Sequence, residues 1–432
     1  SLKYKNLTKL NLSSVNDAQV IGFLLTNEET LEHVRLNQCP LLTSKTTKYL
    51  EQCTQLRSVC IQNADKLTDK HLEVIIRNCL YLKELKIVDC RKVKGAIFKC
   101  LVSKKAPVTA LSSIDLSLCP LSKKSFRAMT KFSSNLLGIT LNPLVTNYTI
   151  SASEISALLS EARNLTQLDL AMFRLELDPI LVEIGEHCTK LVSFAIDGNG
   201  ITDLGLQNVF QHCRNIRHLE FRYSENVTET TLQRITRQLP EIQTIKLHFM
   251  SKFFKSSISE HSISNLIKSS SHLQSLTLDK CLLLSSNCFA DSLTLGKLTE
   301  LDISECVNLL DEDLLHIILC CPQLTVLKIN NLNQLDSKSL MMVASAPRIE
   351  ELYILHCVNF SDESIIELLN AVPRLFIHLT RYSTIDLAGR DFQVHCTNVQ
   401  QVFDANPNSF SHKILDRFRR SISNANPMNN VF

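Results

Sequence analysis

The sequence predicts an α/β solenoid, in which short repeats each contribute a strand and a helix and stack along one axis. Three observations support this class: a recurrent apolar motif, its nearly constant spacing, and a composition that suits one continuous core. The motif is Leu-x-x-Leu-x-Leu-x-x-Cys, and Leu82, Leu85, Ile87 and Cys90 show it completely. Of the 432 residues, 44% are hydrophobic and 21% are charged, which excludes a disordered chain.

The spacing of the motif identifies the repeat type. Its first apolar position recurs along the chain at Leu7, Leu31, Leu56, Leu82, Leu111, Leu136, Leu165, Leu191, Ile216, Ile242, Leu273, Leu298, Leu324 and Ile349. The mean period is about 26 residues, inside the roughly 20–29 residues of a leucine-rich repeat. One such repeat cannot bury its apolar face alone, so neighbours stack and share a core. We therefore expect a leucine-rich-repeat solenoid, a horseshoe with parallel strands on the concave face and helices on the convex face.

Residues 56 to 81 show how a single repeat is built. Leu56, Val59 and Ile61 alternate as the inward side of a short strand. Thr68 or Asp69 is placed to cap the helix that follows the turn. The apolar stripe of that helix consists of Leu72, Ile75, Ile76 and Cys79 at helical spacing. Each repeat is therefore predicted to run from strand to turn to helix.

Loss of the repeat near the C-terminus divides the chain into two predicted regions. Residues 1–380 are expected to form the solenoid, with about 14–15 repeats. Residues 381–432 are expected to form a C-terminal cap and a basic helical tail. The tail helix would present Ile414, Leu415, Phe418 and Ile422 on one face, and it either docks on the last repeats or recruits a partner. No apolar run reaches the roughly 18 residues of a membrane span, and the start does not read as a secretory leader.

The 16 cysteines have a periodic explanation. Most of them end either the strand motif or the helix that follows it, where a small apolar side chain packs well. Free thiols in such numbers favour a reducing compartment, so a cytoplasmic or nuclear location, or both, is predicted. Two His-Cys pairs, His187-Cys188 and His212-Cys213, could bind zinc in principle, but periodic packing explains them better. No metal or cofactor is therefore predicted.

No catalytic motif is recognised in the sequence. Gly198-Asn199-Gly200 with Gly205 fits neither the dinucleotide spacing nor the phosphate-loop spacing, and there is no His-Glu-x-x-His and no Cys-x-x-Cys. No catalytic residue is assigned, and the chain is predicted not to be an enzyme.

Strand residues between the inward positions should line the concave face, because side chains alternate along a strand. Acidic blocks interrupt the basic ones there, which favours a protein partner with complementary patches over a nucleic acid. The predicted partner-binding residues are His218, Arg222, Lys246, His248, Lys252, Phe253, Phe254, Tyr353, Arg35 and Lys86.

A basic cluster on the strands around residues 218 to 248 lies beside an insertion, residues 249 to 255, that contains aromatic residues. Phe253 and Phe254 have the composition of an anchor that fills a partner's pocket, and Lys and Arg clusters suit an acidic or phosphorylated segment. The alternative is a solvated, charge-balanced face on which both phenylalanines fold back against their own solenoid.

The cysteine-ended repeat with a helix ending such as Cys321-Pro322-Gln323-Leu324 resembles the repeats of F-box substrate receptors over roughly residues 7 to 380. The resemblance implies substrate recognition for a cullin–RING, SCF-type ubiquitin ligase, with a protein substrate on the concave face. An F-box precedes the repeats in that family, whereas here the first repeat begins at residue 7. We therefore expect either an upstream adaptor-binding module or a relative without one. The alternatives are an F-box-free binding or inhibitory protein in signalling or cell-cycle control, and a nucleic-acid or DNA-repair-associated subunit. No membrane partner is expected.

Overall fold

The chain consists of two compact units, Ser1–Arg222 and Tyr223–Phe432. The computed structural model describes residues 5–103, 110–142, 150–170, 176–197, 200–222, 227–249, 258–289, 293–380 and 394–397. The first unit contains β1 (Lys9–Ser13), α1 (Asp17–Asn27), β2 (His33–Asn37), α2 (Ser44–Leu50), β3 (Ser58–Gln62), α3 (Asp69–Asn78), β4 (Glu84–Val88), α4 (Ile97–Leu101), β5 (Ser113–Asp115), α5 (Lys123–Phe132), β6 (Gly138–Leu141), α6 (Ala152–Glu161), β7 (Gln167–Leu170), α7 (Asp178–His187), β8 (Ser193–Asp197), α8 (Asp203–His212) and β9 (His218–Arg222). The second unit contains α9 (Glu229–Gln238), β10 (Thr244–His248), α10 (Glu260–Ser269), β11 (Ser275–Asp279), β12 (Glu300–Asp302), α11 (Asp311–Cys320), β13 (Val326–Lys328), α12 (Ser337–Met342), β14 (Glu351–Ile354), α13 (Asp362–Ala371), β15 (Phe376–Thr380) and β16 (Val394–Thr397).

Strands in each unit pair in parallel and in chain order. Leu85 of β4 is in register with Val59 of β3 on one side and with Ile114 of β5 on the other. The same holds in the second unit for Leu301 of β12, which pairs with strands β11 and β13. Strands contact neighbouring strands and helices contact neighbouring helices, so each unit has a strand layer and a helix layer. This alternation confirms the predicted leucine-rich-repeat solenoid class.

The core of each unit lies between its two layers. Leu85 on β4 and Ile75 on α3 are both 0% exposed, as the strand and helix periods of the sequence predict. The large aromatic residues Phe194 and Phe221 are also fully buried in the first unit, one strand apart. Each repeat therefore buries its apolar residues against the next repeat and not within itself.

Cysteines serve as periodic core residues that bond backwards to the preceding repeat. The thiol of Cys119 donates to the carbonyl of Ile87 at 3.3 Å, and that of Cys306 donates to Leu278 at 3.0 Å. At a helix end, Cys213 donates in the same way to Cys188 at 3.4 Å. Burial raises the pKa of both Cys119 and Cys213 to about 12. These thiols are therefore protonated packing groups, and the cysteines between Cys39 and Cys357 are free.

An acidic residue at the start of several helices links one repeat to the next. Asp17 of α1 accepts hydrogen bonds from Thr43 at 2.9 Å, through the backbone, and from the hydroxyl of Thr46 at 2.6 Å. Burial alone would raise the pKa of Asp17, but these hydrogen bonds outweigh it and lower the value. In the repeat that begins at residue 56, Thr68 is the cap of α3, and Asp69 instead accepts from the backbone of the following repeat. Of the two predicted capping residues, Thr68 is therefore the one that caps.

Replacing Gly205 of α8 with alanine should weaken such a link. The added Cβ would overlap the carboxylate of Asp178 and lie 2.7 Å from Leu181 Cδ1. Asp178 accepts hydrogen bonds from the amide and the hydroxyl of Thr202, at 2.8 and 2.6 Å, so its displacement would break both. We expect the free energy of unfolding to fall by about 1–3 kcal/mol.

A matched glycine substitution provides the control for that prediction. Gly22 lies in α1, and an added Cβ there would meet no atom within 4 Å, so alanine should stabilise the helix by about 0.5–1 kcal/mol. Urea unfolding followed by far-UV circular dichroism compares the two variants. Shifts of the same sign would contradict the packing described for α7 and α8.

The C-terminal part of the second unit extends beyond the predicted solenoid boundary at residue 380. Strand β16 pairs in parallel with β15, with Ile377 opposite Val394. The remainder of residues 381–432 lies outside the described residues, so the predicted cap and basic tail helix stay predictions. In the described segments, no helix is long and apolar enough to cross a membrane.

Candidate interaction surface

Alternate strand residues form an open face on each unit, on the side of the sheet away from the core. On β4, Leu85 and Ile87 point inward and are buried, whereas Glu84, Lys86 and Val88 stay partly exposed. Parallel register places equivalent positions of successive strands side by side, so their side chains form rows across the sheet. We use the term open face for this surface of each unit.

The first four strands carry a basic groove on the open face of the first unit. The basic groove is a cavity of about 290 Å³ whose lining includes Lys9, His33, Arg35, Cys60, Glu84 and Lys86. Lys86 Nζ lies 3.0 Å from Glu84 Oε1, and Ser58 donates to Glu84 Oε2 at 2.7 Å. Burial would raise the pKa of Glu84, but these bonds and the nearby cations lower it. The predicted residues Arg35 and Lys86 therefore lie together in one groove.

At the other end of the same open face, Arg222 joins two carboxylates in an acid–arginine cluster. Its guanidinium binds both oxygens of Asp169, at 2.7 and 3.0 Å, and lies 2.7 Å from Glu220 Oε1. Burial raises the pKa of Asp169 even though Arg222 lies beside it. Burial would lower the pKa of Arg222, but the neighbouring Asp169 and Glu220 raise it. We take both groups as ionised, because bidentate geometry of this kind requires a carboxylate.

The acid–arginine cluster borders a second cavity of about 190 Å³, whose lining also includes Thr140, Ser193 and Ala195. The sequence singled out Arg222 as a cationic contact for a partner. The structure places it between two acidic side chains that are themselves only partly exposed. His218 is exposed at the first position of the same strand.

In the second unit, Tyr353 belongs to an aromatic and charged group on β12 to β15. Its ring stacks on His378 with centroids 3.9 Å apart and planes 4° from parallel. Its hydroxyl donates to Glu351 at 2.8 Å, and Lys328 Nζ lies 5.5 Å from the ring centroid. Burial, followed by the bond to Glu351, raises the pKa of Tyr353 to about 12.

Two further predicted residues lie on β10 of the second unit. His248 Nδ1 lies 2.9 Å from Asp279 Oδ1 on the neighbouring strand, and Lys246 is in register with Thr277. The predicted residues Lys252, Phe253 and Phe254 lie outside the described residues. Partner binding by the ten predicted residues therefore stays a prediction, although the seven described ones all lie on strands.

Sequence reasoning missed two members of the tyrosine group as site residues. Lys328 and His378 occupy the same strand position as Tyr353, on the strands before and after it. Aligning the strands by their inward leucines would have placed these three side chains side by side. Lys328 also binds Glu300 Oε1 at 2.6 Å, so a polar network spans β12 to β15.

Replacing Glu300 with glutamine should have an effect on stability that depends on pH. Burial would raise the pKa of Glu300, but Lys328 and Ser275 lower it below its ordinary 4.5. A lowered folded pKa means that the carboxylate stabilises the fold above about pH 4.5 and loses that contribution as the pH falls through the folded value. At pH 7 the variant should be less stable by up to about 1 kcal/mol, since both side chains are partly exposed.

Urea unfolding at pH 7 and at pH 3.5 tests the Glu300 prediction. The difference between wild type and variant should shrink at the lower pH. Glutamine at the exposed Glu312 of α11 is the matched control and should cause little change at either pH. A Glu300 difference that grows in acid would contradict the assigned network.

Metal-ligating residue types are not clustered in the described segments: no group of three or more His, Cys, Asp or Glu side chains is arranged to hold an ion. In the pairs His187-Cys188 and His212-Cys213, both thiols donate to backbone carbonyls of the preceding repeat. These contacts are those of packed core cysteines, as the periodic interpretation of the sequence predicts.

Comparison with solved structures supports the fold. The chain matches no protein-family model. A chain in the crystal structure of the Rad7 and Elc1 complex of yeast superposes with a TM-score of 0.59, at 14% identity, over 84% of each chain. An internalin (InlF) of Listeria monocytogenes gives 15% identity over 93% and 87% of the two chains, with a TM-score of only 0.29. The TLR13–ssRNA13 complex gives 15% identity over 91% and 62%, with 0.32. The likeness to the yeast chain, together with the alternating strands and helices, shows a leucine-rich-repeat solenoid fold.

Proposed function

We propose that this chain is a non-enzymatic scaffold that recognises a protein partner on its open face, as the substrate-recognition subunit of an SCF-type ubiquitin ligase. The observation that carries the recognition role is the charge pattern of that face in the first unit. Arg35 and Lys86 line one groove, and Asp169, Glu220 and Arg222 form a fixed cluster on the same sheet. Complementary charge patches of this kind set the specificity and speed of protein association.

Preorganised side chains on the open face also favour recognition. Arginine and tyrosine are enriched among the residues that dominate binding energy at interfaces. Arg222 is held by three short contacts, and Tyr353 is held by its stack on His378 and its bond to Glu351. A partner therefore meets side chains whose conformational freedom is already reduced, which lowers the cost of binding.

The ubiquitin-ligase role is supported by the resemblance of the cysteine-ended repeats to F-box substrate receptors. The buried thiols favour the reducing cytoplasm or nucleus where such ligases act. The fold is also present in a solved complex of two proteins, Rad7 and Elc1, which is consistent with a scaffold that works within an assembly. A sequence upstream of the repeats would supply the adaptor contact.

Affinity purification of the complete gene product tests both parts of the proposal. Three forms are compared by quantitative mass spectrometry: wild type, the open-face variant Arg35→Glu/Lys86→Glu, and the helix-layer control Arg77→Glu/Lys99→Glu. Arg77 and Lys99 are exposed on α3 and α4, so the control makes the same charge change on the other layer. The expected result is cullin and RING subunits with all three forms, and partner proteins that the open-face variant alone loses.

Two outcomes would contradict separate parts of the proposal. Absence of cullin and RING subunits from the wild-type sample would refute the ligase role and leave an F-box-free binding protein. Partners that all three forms retain equally would refute recognition through this part of the open face. Ubiquitylation of the lost partners in cells, reduced by the open-face variant and not by the control, would complete the positive result.

A further inference from the structure

The two cavities of the first unit are neighbours that share one lining residue, Lys86. The basic groove is lined from β1 to β4 and the second cavity from β4 to β9, and Lys86 lines both. Together they form a depression that crosses the strands of the open face. We call this combined depression the trough.

The middle of the trough has a floor of small side chains. Ser113, Gly138, Thr140, Ser193 and Ala195 lie there on strands β5, β6 and β8, and β7 between them adds Gln167 and Asp169. A Cβ at Gly138 would lie 2.8 Å from the hydroxyl of Ser113, so a larger residue at position 138 would displace Ser113. Charged side chains line both ends of the trough, Arg35 and Lys86 at one end and Asp169, Glu220 and Arg222 at the other.

Those two ends carry opposite charge. On β1 to β4, the open face presents Lys9, Arg35 and Lys86 against the single carboxylate of Glu84, which Lys86 and Ser58 already bind. On β5 to β9, it presents Asp115, Asp169 and Glu220 against the single guanidinium of Arg222, whereas Asp197 of β8 is buried. The open face that holds the trough therefore carries an excess of cations over β1 to β4 and an excess of carboxylates over β5 to β9.

We propose that the trough binds an extended segment of the protein partner that crosses the strands, with acidic residues over β1 to β4 and basic residues over β5 to β9. This inference rests on the proposed recognition function and specifies the chemistry of the partner. The small-residue floor accommodates a backbone, and the charged ends select its side chains. A nucleic acid is disfavoured, because its phosphates would be repelled along the acidic half.

Strand spacing sets the length of the segment. Arg35 on β2 and Glu220 on β9 are seven strand intervals apart, which is about 34 Å at roughly 4.8 Å for each interval. An extended chain rises about 3.3 Å for each residue, so roughly ten residues connect the two charged ends. The acidic and basic blocks of the partner should therefore be separated along its sequence and not interleaved.

Binding of two synthetic 12-residue peptides tests this arrangement. One carries four glutamates, four alternating glycines and serines, and four lysines in separate blocks; the other has the same composition with the charges interleaved. Fluorescence anisotropy with the full chain should show at least about 5-fold tighter binding of the blocked peptide, and the preference should weaken with salt. Equal affinities, or no binding of either peptide at millimolar concentration, would overturn the proposal.

Two variants with unchanged net charge distinguish recognition of the order of charges in the peptide from non-specific electrostatic attraction. Arg35→Glu/Asp115→Lys reverses one charge on each half of the open face, and Asn11→Glu/Gln167→Lys adds opposing charges at exposed neutral positions that line the trough. Asp115 accepts hydrogen bonds from the amide and the hydroxyl of Ser117, which the first variant loses and the second keeps. The second variant therefore still tests the proposal if the first does not fold. Each should reduce the preference for the blocked peptide to less than about 2-fold. A preference retained by both folded variants would overturn the proposal, and the cellular partner test would still judge the recognition function independently.

Discussion

Replacing Leu206 with alanine is expected to lower the free energy of unfolding by about 2–5 kcal/mol. Leu206 lies on the inward side of α8 and is 0% exposed. Truncation removes apolar atoms from the shared core of adjacent repeats and leaves a cavity that the rigid stack cannot close fully. Urea unfolding, followed by circular dichroism at fixed protein concentration, measures the change.

Leu204 provides a matched control two residues away in the same helix. Its side chain is 74% exposed, so alanine there should change the free energy of unfolding by no more than about 0.5 kcal/mol. Both substitutions remove the same atoms from the same helix, and they differ only in burial. Comparable losses at the two positions would show that the layer assignment of α8 is wrong.

Replacing Arg222 with alanine is expected to have the next largest effect, a loss of about 1–3 kcal/mol at pH 7. The substitution leaves Asp169 and Glu220 with like charges in a site where only about a quarter of each side chain is exposed. Burial already raises the pKa of Asp169, and loss of Arg222 should raise it further. A raised folded pKa means that stability is lost as the pH rises, so the defect should be smaller at pH 5 than at pH 8.

A double-mutant cycle with Asp169→Asn isolates the interaction from other effects of the substitution. The pair should restore part of the stability that Arg222→Ala loses, because the buried negative charge is then absent. Alanine at Arg77, whose ion pair with Glu73 is exposed on α3, is the comparison and should cause little change in stability. A loss for Arg222→Ala no larger than that for Arg77→Ala would mean that the cluster does not stabilise the fold.

The fold could be predicted from the sequence because its determinants are local. Val59 and Ile61 indicate a strand by their alternation, and Leu72, Ile75 and Ile76 indicate a helix by their spacing, all within the repeat that begins at residue 56. The near-constant distance between repeats then fixes parallel pairing in chain order. The start of α3 was also predicted to within one residue, because the sequence named Thr68 or Asp69 as the cap and Thr68 is the N-cap.

The interactions of the open face could not be predicted in the same way, because they join residues of different repeats. Arg222 on β9 reaches Asp169 on β7, 53 residues away, across the small Ala195 of β8. Its charge alone suggested a contact for acidic partners, whereas register shows that acidic neighbours already bind it. The stack of Tyr353 on His378 was missed for the same reason. Strand register, and not residue type, decides these partners.

Site-specific photo-crosslinking tests most directly whether the open face is the recognition surface. A photoreactive residue is placed at Gln167, exposed on β7 within the trough, or at Glu186, exposed on α7 in the helix layer of the same unit. Partner proteins captured from cells should form crosslinks from position 167 and not from position 186. Crosslinks from position 186 alone would place the partner on the helices and contradict the account.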